Sequence, residues 1–445
     1  MEFQNLQALA IRIVSRLRKA GWQAYFAGGC VRDQLMDKPA KDIDIATDAD
    51  PTKIQELFPR TVPVGVQFGV ILVIEEGQSF QVATFRADGR YVDGRHPEQV
   101  RYSKTPQEDA KRRDFTINGL YYDPLEAKVL DFIGGEEDLG RRLIRTIGDP
   151  IERFEEDKLR LLRAIRFAAS FEFQIESQTY TALCQLSHKI NQVSAERIRE
   201  ELVKLLTGGH AGQGLTLLDE TGLLGEILPE ISKMKGVQQP SQFHPEGDVF
   251  VHTQLILGQL DLLEERSDLL AVAALLHDVG KPPTYRQAPD RIRFDNHDRI
   301  GAKMAHEICH RLRFSNDQTG QIVEAVERHM DFKNAPKMRE ATLKRFMRRT
   351  TFPMELLMHR LDCLASHGDL TIYQFLIQKY EELAQEIPKP KPLISGDDLI
   401  HLGYKPGPSF KEILSVVEDE QLEHRLQEKE EAIRWVLERF PLNSL

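Results

Sequence analysis

The chain has 445 residues, of which 41% are hydrophobic and 29% charged, and its formal net charge is −10. This length predicts two to four domains with a sizeable buried core. The negative charge argues against a nonspecific nucleic-acid coat, and no apolar run approaches the roughly 20 residues that span a membrane. The four cysteines have neither disulfide nor metal spacing, which is typical of a reducing compartment, so we expect a cytoplasmic protein.

The first 135 residues are predicted to mix short strands with helices. Four segments have strand character: 24–29, 42–47, 68–76 and 79–86. Gly77-Gln78 is expected to join the last two as a hairpin, and the four segments together predict a small mixed sheet. The polar segment Arg86–Tyr102 is predicted to be a long mobile loop, and such loops in compact domains are often functional.

Residues 28–48 carry the first chemical signal. Gly28 and Gly29 stand before a helical turn, where a backbone can approach phosphate closely and a helix start favours anions. Asp42 and Asp44 occupy alternate positions of an Ile-rich strand, so their carboxylates are predicted to point the same way. Paired carboxylates suit Mg²⁺, and two such ions can clamp the attacking and leaving oxygens of a phosphoryl displacement. An isolated Asp-x-Asp is more often a solvated turn, so the neighbouring motifs decide between the two interpretations.

The remainder of the chain is predicted to be almost entirely helical. One continuous helix is expected over 149–171, with Asp149 as its N-cap and proline in its first turn. Residues 236–248 have the composition of a linker, and a PKPKP spacer at 388–392 precedes the last helical unit. These changes predict four parts: 1–135, 136–235, 236–387 and 388–445.

The predicted helix contains the run Glu156-Asp157-x-x-Arg160. Residues three apart lie on the same side of a helix, so Asp157 would accept and Arg160 donate hydrogen bonds on one face. Cytosine and adenine each present an amine donor beside a ring-nitrogen acceptor, whereas uracil and guanine present the reverse. Such a pair could accept C and A while leaving U and G mismatched, without a nucleic-acid template. The competing interpretation is an intrahelical ion pair worth about 0.3–0.5 kcal/mol.

A cluster of imidazoles and carboxylates follows in the helical region. A His and an Asp are adjacent at a helix end in AALLHDVGK, and this ligand chemistry suits transition metals more than Mg²⁺. The predicted ligands are His252, His277, Asp278, His297, His329 and Asp362. The cluster resembles the HD-domain phosphohydrolases, which bind one or two divalent metals. The resemblance leaves open both a working phosphohydrolase and an inactive metal site.

Together with KRRDFTINGL at 111–120, these motifs resemble the tRNA nucleotidyltransferase and bacterial poly(A) polymerase family, in its eubacterial–eukaryotic class. The resemblance covers nearly the whole chain. It implies an α+β fold with a polymerase-β-like nucleotidyltransferase head on a small mixed sheet, followed by all-helical neck, HD and tail regions. It also implies attack of an RNA 3′-hydroxyl on the α-phosphate of CTP or ATP, releasing pyrophosphate and completing the CCA end of the tRNA acceptor.

The resemblance also implies roles for the residues of the head. Asp42 and Asp44 would be the catalytic ligands of Mg²⁺. The family usually has Glu where this chain has Gln81, so a site with only two aspartates is expected. Asp114 would accept a hydrogen bond from a ribose hydroxyl while arginines neutralise the triphosphate. The implied nucleotide-binding residues are Gly28, Gly29, Arg32, Arg112, Arg113, Asp114, Asn118, Asp157, Arg160 and Arg163.

Several alternatives stay open at this stage. Members of the family add CCA, only CC or only A, and the loop at 86–102 resembles an element linked to the switch from C to A. A poly(A) polymerase, a phosphohydrolase with a degenerate head and a non-catalytic RNA-binding protein are the competing functions. The intact Asp42, Asp44 and Asp114 oppose the last two. A basic helix face at 344–349 is a candidate track for a phosphate backbone, with an ordinary solvated face as the alternative.

Overall fold

The computed structural model of the protein describes residues 2–40, 42–65, 69–88, 100–385, 392–423 and 425–442. Its internal contacts form two compact units. The first comprises residues 1–235, 260–268 and 308–314, and the second comprises residues 236–259, 269–307 and 315–445. The predicted division into four parts remains a prediction. Within the described ranges, no helix combines the length and apolarity needed to cross a membrane.

A mixed sheet forms the centre of the predicted head. The strands of this region are β1 (Ala24–Ala27), β2 (Ile45–Thr47), β3 (Thr61–Gly65), β4 (Val70–Glu75), β5 (Gln78–Thr84), β6 (Arg86–Asp88), β7 (Val100–Tyr102), β8 (Tyr121–Asp123) and β9 (Lys128–Leu130). Seven of them form one sheet in the order β3-β4-β5-β2-β1-β8-β9. Only β2 and β5 pair in parallel, and the other neighbours are antiparallel. The predicted mixed sheet is confirmed, although β3, β8 and β9 were not predicted.

The turn between β4 and β5 differs by one residue from the prediction. Glu75 pairs with Gln78, so the turn residues are Glu76 and Gly77 rather than Gly77 and Gln78. Both have positive φ, 48° and 84°, as a two-residue turn that follows the twist of the strands requires. Strands β6 and β7 pair at the two ends of the predicted 86–102 loop, whose residues 89–99 lie outside the described residues.

Helices pack against the sheet. The helices of this region are α1 (Glu2–Lys19), α2 (Gly29–Leu35), α3 (Pro51–Leu57), α4 (Pro106–Lys111) and α5 (Gly135–Gly140). Leu9, Ile13 and Leu17 of α1 lie at helical spacing and are almost fully buried in the apolar core that also contains β1 and β5 residues. This packing fixes the end of strand β1, where the chain continues into α2.

The predicted neck is a set of short helices. They are α6 (Pro150–Glu156), α7 (Leu159–Phe171), α8 (Ser177–Leu186), α9 (Ala195–Thr207), α10 (Ala211–Glu220), α11 (Leu223–Ile227) and α12 (Pro229–Ser232). A two-residue parallel pairing joins β10 (Leu143–Ile144) to β11 (Gln174–Ile175). The prediction of one continuous helix over 149–171 is wrong, because Asp157 ends α6 in an extended conformation with φ −143° and ψ 103°. The predicted cap is present, since the Asp149 carboxylate accepts a hydrogen bond from the Glu152 amide at 3.0 Å.

The described residues of the second unit form helices and one short hairpin. Its elements are α13 (Val249–Gln259), α14 (Asp268–Leu276), α15 (Lys281–Thr284), β12 (Tyr285–Gln287), β13 (Ile292–Phe294), α16 (His297–Arg311), α17 (Asn316–Arg328), α18 (Glu340–Met347), α19 (Phe352–Ala365), α20 (Thr371–Gln385), α21 (Gly396–His401), α22 (Pro408–Leu422) and α23 (Lys429–Arg439). The first residue of α14 and the last turn of α16 group with the first unit. Helices α21–α23 share an apolar core, and α22 also contacts α18.

Candidate functional site

A cavity of about 510 Å³ in the first unit gathers nearly all of the residues predicted for the head and neck. Seven arginines and three aspartates line it, so the cavity is strongly cationic and suits a polyanion such as a triphosphate. The lining residues are Gly28, Gly29, Arg32, Asp44, Arg86, Arg112, Arg113, Asp114, Asn118, Asp157, Leu159, Arg160, Arg163, Phe167 and Arg197. Asp42 lies beside Asp44 but is not part of this lining.

The glycine pair provides a close approach of backbone to cavity. Gly28 has φ 79° and precedes α2, which begins at Gly29. A Cβ at Gly28 would lie 2.8 Å from the nearer guanidinium nitrogen of Arg113, so both the conformation and the space favour glycine. The predicted turn before a helix is therefore present at the wall of the cavity.

The two aspartates precede strand β2 instead of lying within it as predicted. The predicted alternation of side chains is nevertheless present: Ile43 and Ile45 are buried, whereas Asp42 and Asp44 are exposed. The surrounding protein displaces water, and this, together with the charge of Asp42, raises the pKa of Asp44 to about 6. A carboxylate whose ionisation is disfavoured by a neighbouring carboxylate fits a site for a divalent cation.

Gln81 lies next to this pair on the neighbouring strand. The parallel register pairs Ile45 with Val82, so one step earlier Asp44 stands beside Gln81. Gln81 is exposed like the two aspartates, whereas Val82 is buried like Ile45. The amide therefore occupies the strand position at which a third carboxylate would complete a metal site.

Asp109 orients two arginines of the cavity and was not predicted from the sequence. Its carboxylate is 1% exposed and accepts hydrogen bonds from Arg112 Nε at 2.7 Å and from Arg113 Nη2 at 3.3 Å. The Tyr121 hydroxyl donates a third, at 2.5 Å. Although burial alone would raise it, the two guanidinium groups hold the pKa of Asp109 at about 2. Its position three and four residues before these arginines on α4 is the signal that sequence reasoning had available.

Asp114 and Asn118 connect the two sides of the cavity. Arg163 Nε donates to Oδ2 of Asp114 at 2.8 Å, and the Asn118 amide donates to Oδ1 at 3.1 Å. Asn118 in turn accepts from Arg32 Nη1 at 2.5 Å. Burial opposes ionisation of Asp114, but Arg163 and these hydrogen bonds hold its pKa well below the usual range. The chain Arg32–Asn118–Asp114–Arg163 thus fixes four predicted residues in one network.

Asp157 and Arg160 both reach the cavity, but not from one helix face. Asp157 lies in the break between α6 and α7, where its Oδ2 lies 2.9 Å from Arg197 Nη2 and its Oδ1 accepts from the Leu159 amide at 3.1 Å. Arg160 is 7% exposed and donates through Nη1 to the Glu156 carboxylate and to the Arg153 carbonyl, both at 2.8 Å. The predicted same-face pair is therefore replaced by two residues that are held separately by the helix break.

Arg197 belongs to the neck helix α9 and lines the cavity. Its run, 196–199, resembles a family motif that supports the Asp157 motif, but Arg197 was not predicted to bind the nucleotide. Glu201 lies one turn later on the same helix, is 3% exposed, and accepts from Arg166 Nε at 2.6 Å. Its other oxygen is 3.7 Å from Arg163 Nη1. Helix α9 therefore supplies Arg197, which contacts Asp157, and Glu201, which faces Arg163.

The predicted metal ligands of the second unit also converge. His252 lies on α13, His277 and Asp278 follow α14, His297 opens α16, His329 follows α17, and Asp362 lies on α19. Asp278 is central, because His277 Nε2 is 3.1 Å from its Oδ2 while His297 and His329 Nε2 are 3.7 and 3.9 Å from its Oδ1. Asp362 Oδ1 is 3.1 Å from His252 Nε2. Three overlapping groups have donor atoms within 4.8 Å of one another: His252 with His277 and Asp278, Asp278 with His297 and His329, and His252 with His244 and Glu246.

The imidazole orientations fit a bound cation. The Nδ1 atoms of His277, His297 and His329 lie 2.7–2.8 Å from the main-chain carbonyls of Ala274, Phe294 and Val326. Because a carbonyl only accepts, each Nδ1 carries the proton and each Nε2 presents a lone pair to the centre. The lone pairs of His297 and His329 face each other at 3.2 Å. Two imidazoles bound to one tetrahedral ion at about 2.0–2.1 Å would have a similar separation.

A cavity of about 550 Å³ opens beside this centre. Lys281 lines it, with Nζ 2.6 Å from Asp278 Oδ2 and 2.5 Å from the Gln239 amide oxygen. Phe294 and Phe332 supply aromatic walls. A buried lysine beside a metal-ligand set provides a positive charge for a phosphate ester.

The basic segment 344–349 does not form a free cationic face. Lys344 is 6% exposed and lies 2.9 Å from Glu340 Oε1. Arg345 pairs with Asp419, and Arg349 pairs with the buried Glu355. Three of the four basic side chains of the candidate phosphate track are therefore paired with carboxylates, and within the described part of the chain Arg348 is the exception.

Three family models match the chain. They describe the poly A polymerase head domain over residues 24–145, the probable RNA and SrmB-binding site of polymerase A over residues 172–235, and the HD domain over residues 248–360. Along the chain, the head-domain match comes first and the HD-domain match last, in the same order as the cationic cavity and the histidine–aspartate cluster.

Known proteins resemble the chain over its whole length. The CCA-adding enzyme of Bacillus cytotoxicus is 30% identical over 439 residues, covering 96% of this chain and 97% of that enzyme. The CCA-adding enzyme of Bacillus licheniformis is 46% identical over 224 residues, but this match spans only 56% of that relative and 50% of this chain. The crystal structure of the Bacillus stearothermophilus CCA-adding enzyme in complex with CTP has a TM-score of 0.72 at 25% identity, covering 98% of both chains. The chain therefore belongs to the family of CCA-adding enzymes, which are nucleotidyltransferases.

Proposed function

We propose that this protein adds C and A nucleotides to the 3′ end of tRNA, using CTP and ATP without a template and releasing pyrophosphate. The observation that carries the proposal is one cationic cavity in which Asp44 meets seven arginines, among them Arg160, and the neck residue Asp157. The related enzyme from Bacillus stearothermophilus, whose structure contains CTP, supports the choice of nucleotide. We place the reaction in the cytoplasm, with its tRNA substrate.

The reaction forms a bond between the RNA 3′ oxygen and the α-phosphorus and breaks the bond from that phosphorus to the bridging oxygen of pyrophosphate. Asp42 and Asp44 would hold Mg²⁺, which when bound supplies charge stabilisation to the reacting phosphate. Arg112, Arg113 and Arg32 neutralise the triphosphate at the wall formed by the glycine pair. Binding by fixed guanidinium groups orients the α-phosphate and excludes water from it.

The sugar and base are recognised by the other half of the cavity. Asp114, held ionised by Arg163 and oriented by Asn118, accepts from a ribose hydroxyl. A carboxylate has about four lone-pair positions, and the Arg197 and Leu159 contacts of Asp157 occupy two of them. The remaining positions accept from the exocyclic amine of cytosine or adenine, while Arg160 lies on the same wall.

One assay tests this function and its alternatives. The protein is incubated with tRNA ending before CCA, after C or after CC, and CTP and ATP are supplied separately. Ordered addition of C, C and A establishes a complete CCA activity, whereas addition to only one substrate identifies a CC-adding or A-adding enzyme. Long homopolymers of A would identify a poly(A) polymerase, and no incorporation on any substrate would refute the proposal.

We propose a second activity, metal-dependent hydrolysis of a phosphate ester, for the second unit. Two observations favour it: the facing Nε2 atoms of His297 and His329, and the buried Lys281 at the wall of the adjoining cavity. His252, His277, Asp278, His297, His329 and Asp362 would hold one or two divalent transition metals, which when bound activate water and polarise the phosphate. Hydrolysis of a chromogenic phosphate monoester or diester, with Mn²⁺, Co²⁺, Ni²⁺ or Zn²⁺ added in turn, is the test. Metal binding without turnover on any ester would leave the site structural and overturn the second activity.

A further inference from the structure

The loop 237–249 is a closed, ordered structure rather than the linker that its composition predicts. The Val249 amide donates to the Val237 carbonyl at 3.0 Å, and the Gln239 amide donates to the Gly247 carbonyl at 2.9 Å. The loop thus begins and ends at the same place, as an Ω-loop does. Asp248 at its end accepts from the Phe250 amide at 2.8 Å, so the loop continues directly into the helix that carries His252.

Three side chains of this loop reach the metal-ligand cluster: Gln239, His244 and Glu246. The Gln239 amide oxygen accepts from Lys281, as described above. Glu246 is more deeply involved: its side chain is 5% exposed, and Oε1 lies 2.7 Å from His252 Nδ1. The same oxygen is 2.9 Å from His244 Nδ1. Glu246 therefore contacts the buried His252 on the side opposite to Asp362 and Asp278.

His252 differs from the other three imidazoles of the cluster in how it is oriented. His277, His297 and His329 each use a main-chain carbonyl three residues earlier as the partner of Nδ1. Nδ1 of His252 faces the Glu246 carboxylate instead, at 2.7 Å, while its Nε2 lies 3.1 Å from Asp362 Oδ1. The ring thus stands between two carboxylates, and with a metal bound at Nε2 the proton of the ring would stay on Nδ1, facing Glu246.

We infer that Glu246 is a positioning residue for the metal centre, which fixes the ring and tautomer of His252 and strengthens Nε2 as a ligand. The inference rests on the metal centre proposed above. A carboxylate partner makes an imidazole a stronger donor than a carbonyl does, because its negative charge stabilises positive charge on the ring. Closure of the loop sets the position of Glu246, so the loop couples the order of this segment to metal affinity.

The test uses the full chain with Glu246→Ala and Glu246→Gln, and with Glu307→Ala, an exposed glutamate on α16, as the matched control. Each metal-free protein is titrated with Zn²⁺ against a chromophoric chelator, with excess Mg²⁺ present to occupy the head. Elemental analysis gives the number of bound ions. Glu246→Ala should weaken Zn²⁺ binding by about 10–100-fold, the usual effect of losing such a partner, while the control leaves it unchanged. Glu246→Gln should lose less Zn²⁺ affinity than Glu246→Ala, because the amide oxygen of Gln can still accept a hydrogen bond from His252 Nδ1.

A second readout separates positioning from a merely structural role. Nitrogen-15 spectra of histidine-labelled, Zn²⁺-loaded parent protein should show His252 protonated at Nδ1, and the variants should shift this signal while far-ultraviolet circular dichroism and nucleotide addition stay unchanged. Equal Zn²⁺ affinity in parent and Glu246→Ala would overturn the role of Glu246 and leave the metal centre standing. If Glu246→Ala lost one bound Zn²⁺ ion while the remaining ions bound with unchanged affinity, Glu246 would be a direct ligand, and the positioning role would be overturned. A parent protein that binds no Zn²⁺ would refute the metal centre itself, and the role of Glu246 with it.

Discussion

Asp157→Asn tests whether the residue in the helix break reads the incoming base. The substitution keeps the shape of the side chain but replaces one acceptor oxygen by an NH₂ donor. An amide can donate to O4 of uracil or O6 of guanine, where the carboxylate is repelled. We therefore expect the preference for CTP and ATP over UTP and GTP to fall.

The contacts of Asp157 set the expected magnitude. One oxygen faces Arg197 at 2.9 Å and the other accepts from the Leu159 amide at 3.1 Å, so the carboxylate is held by two partners before any nucleotide binds. Removal of one hydrogen bond to a charged group costs about 1.5–3 kcal/mol. In discrimination this corresponds to roughly 10–150-fold, since every 1.4 kcal/mol is about tenfold. Some of the loss will fall on all nucleotides alike, because the amide cannot satisfy both existing partners.

The assay is kcat/KM for each of the four nucleoside triphosphates on one tRNA acceptor. Asp149→Asn is the matched control: it makes the same chemical change at the exposed cap of α6, outside the cavity, where Asn caps as well as Asp. Thermal unfolding of both variants shows whether the helix junction is intact. An equal fall in kcat/KM for all four nucleotides, with their ratios unchanged, would mean that Asp157 only braces the junction and that base selection lies elsewhere.

Four further outcomes are expected. Asp42→Ala should reduce incorporation of radiolabelled ATP by roughly a hundredfold or more, and near-normal incorporation would contradict its role as a metal ligand. The pKa of Asp44 is raised to about 6, so protons compete with Mg²⁺ for this carboxylate below that pH. The Mg²⁺ concentration that gives half-maximal addition should therefore rise as the pH falls from 7 to 5, and a constant Mg²⁺ requirement would contradict this. Gln81→Glu should lower that Mg²⁺ requirement at pH 8 whereas Gln81→Ala should not, and equal behaviour of the two variants would remove Gln81 from the site. His277→Ala with Asp278→Ala should lower the transition-metal content by elemental analysis without changing nucleotide addition, and an unchanged content would make the cluster structural.

Local patterns predicted the elements whose causes are local. The glycine pair before α2 and the cap at Asp149 follow from neighbouring residues alone. The alternation of buried isoleucines and exposed aspartates at 42–45 was also predictable, although the strand assigned to it begins only at Ile45. These features needed no knowledge of distant parts of the chain.

The features that were missed have long-range causes. The residues around the break at Asp157 are good helix formers, so propensity favours a continuous helix. The Arg153 guanidinium donates to the carbonyls of Arg112 and Arg113 at 2.5 and 2.6 Å, about 40 positions away in sequence, and so fixes α6 against the head. The partnership of Asp157 with Arg197 likewise spans 40 positions. Sequence periodicity cannot detect such pairs, because it reports only neighbours on one element.

The backbone partners of three imidazoles bear on how this protein tolerates mutation. Every residue type has a main-chain carbonyl, so substitutions at Ala274, Phe294 or Val326 that preserve the helices leave an acceptor for Nδ1 in place. Genetic drift can therefore change the side chains at these three positions without turning the rings away from the centre. Of the four rings, only that of His252 depends on the identity of a side chain, Glu246. The tolerance of the metal centre to substitution is therefore uneven, and its most vulnerable supporting position, Glu246, lies in a surface loop.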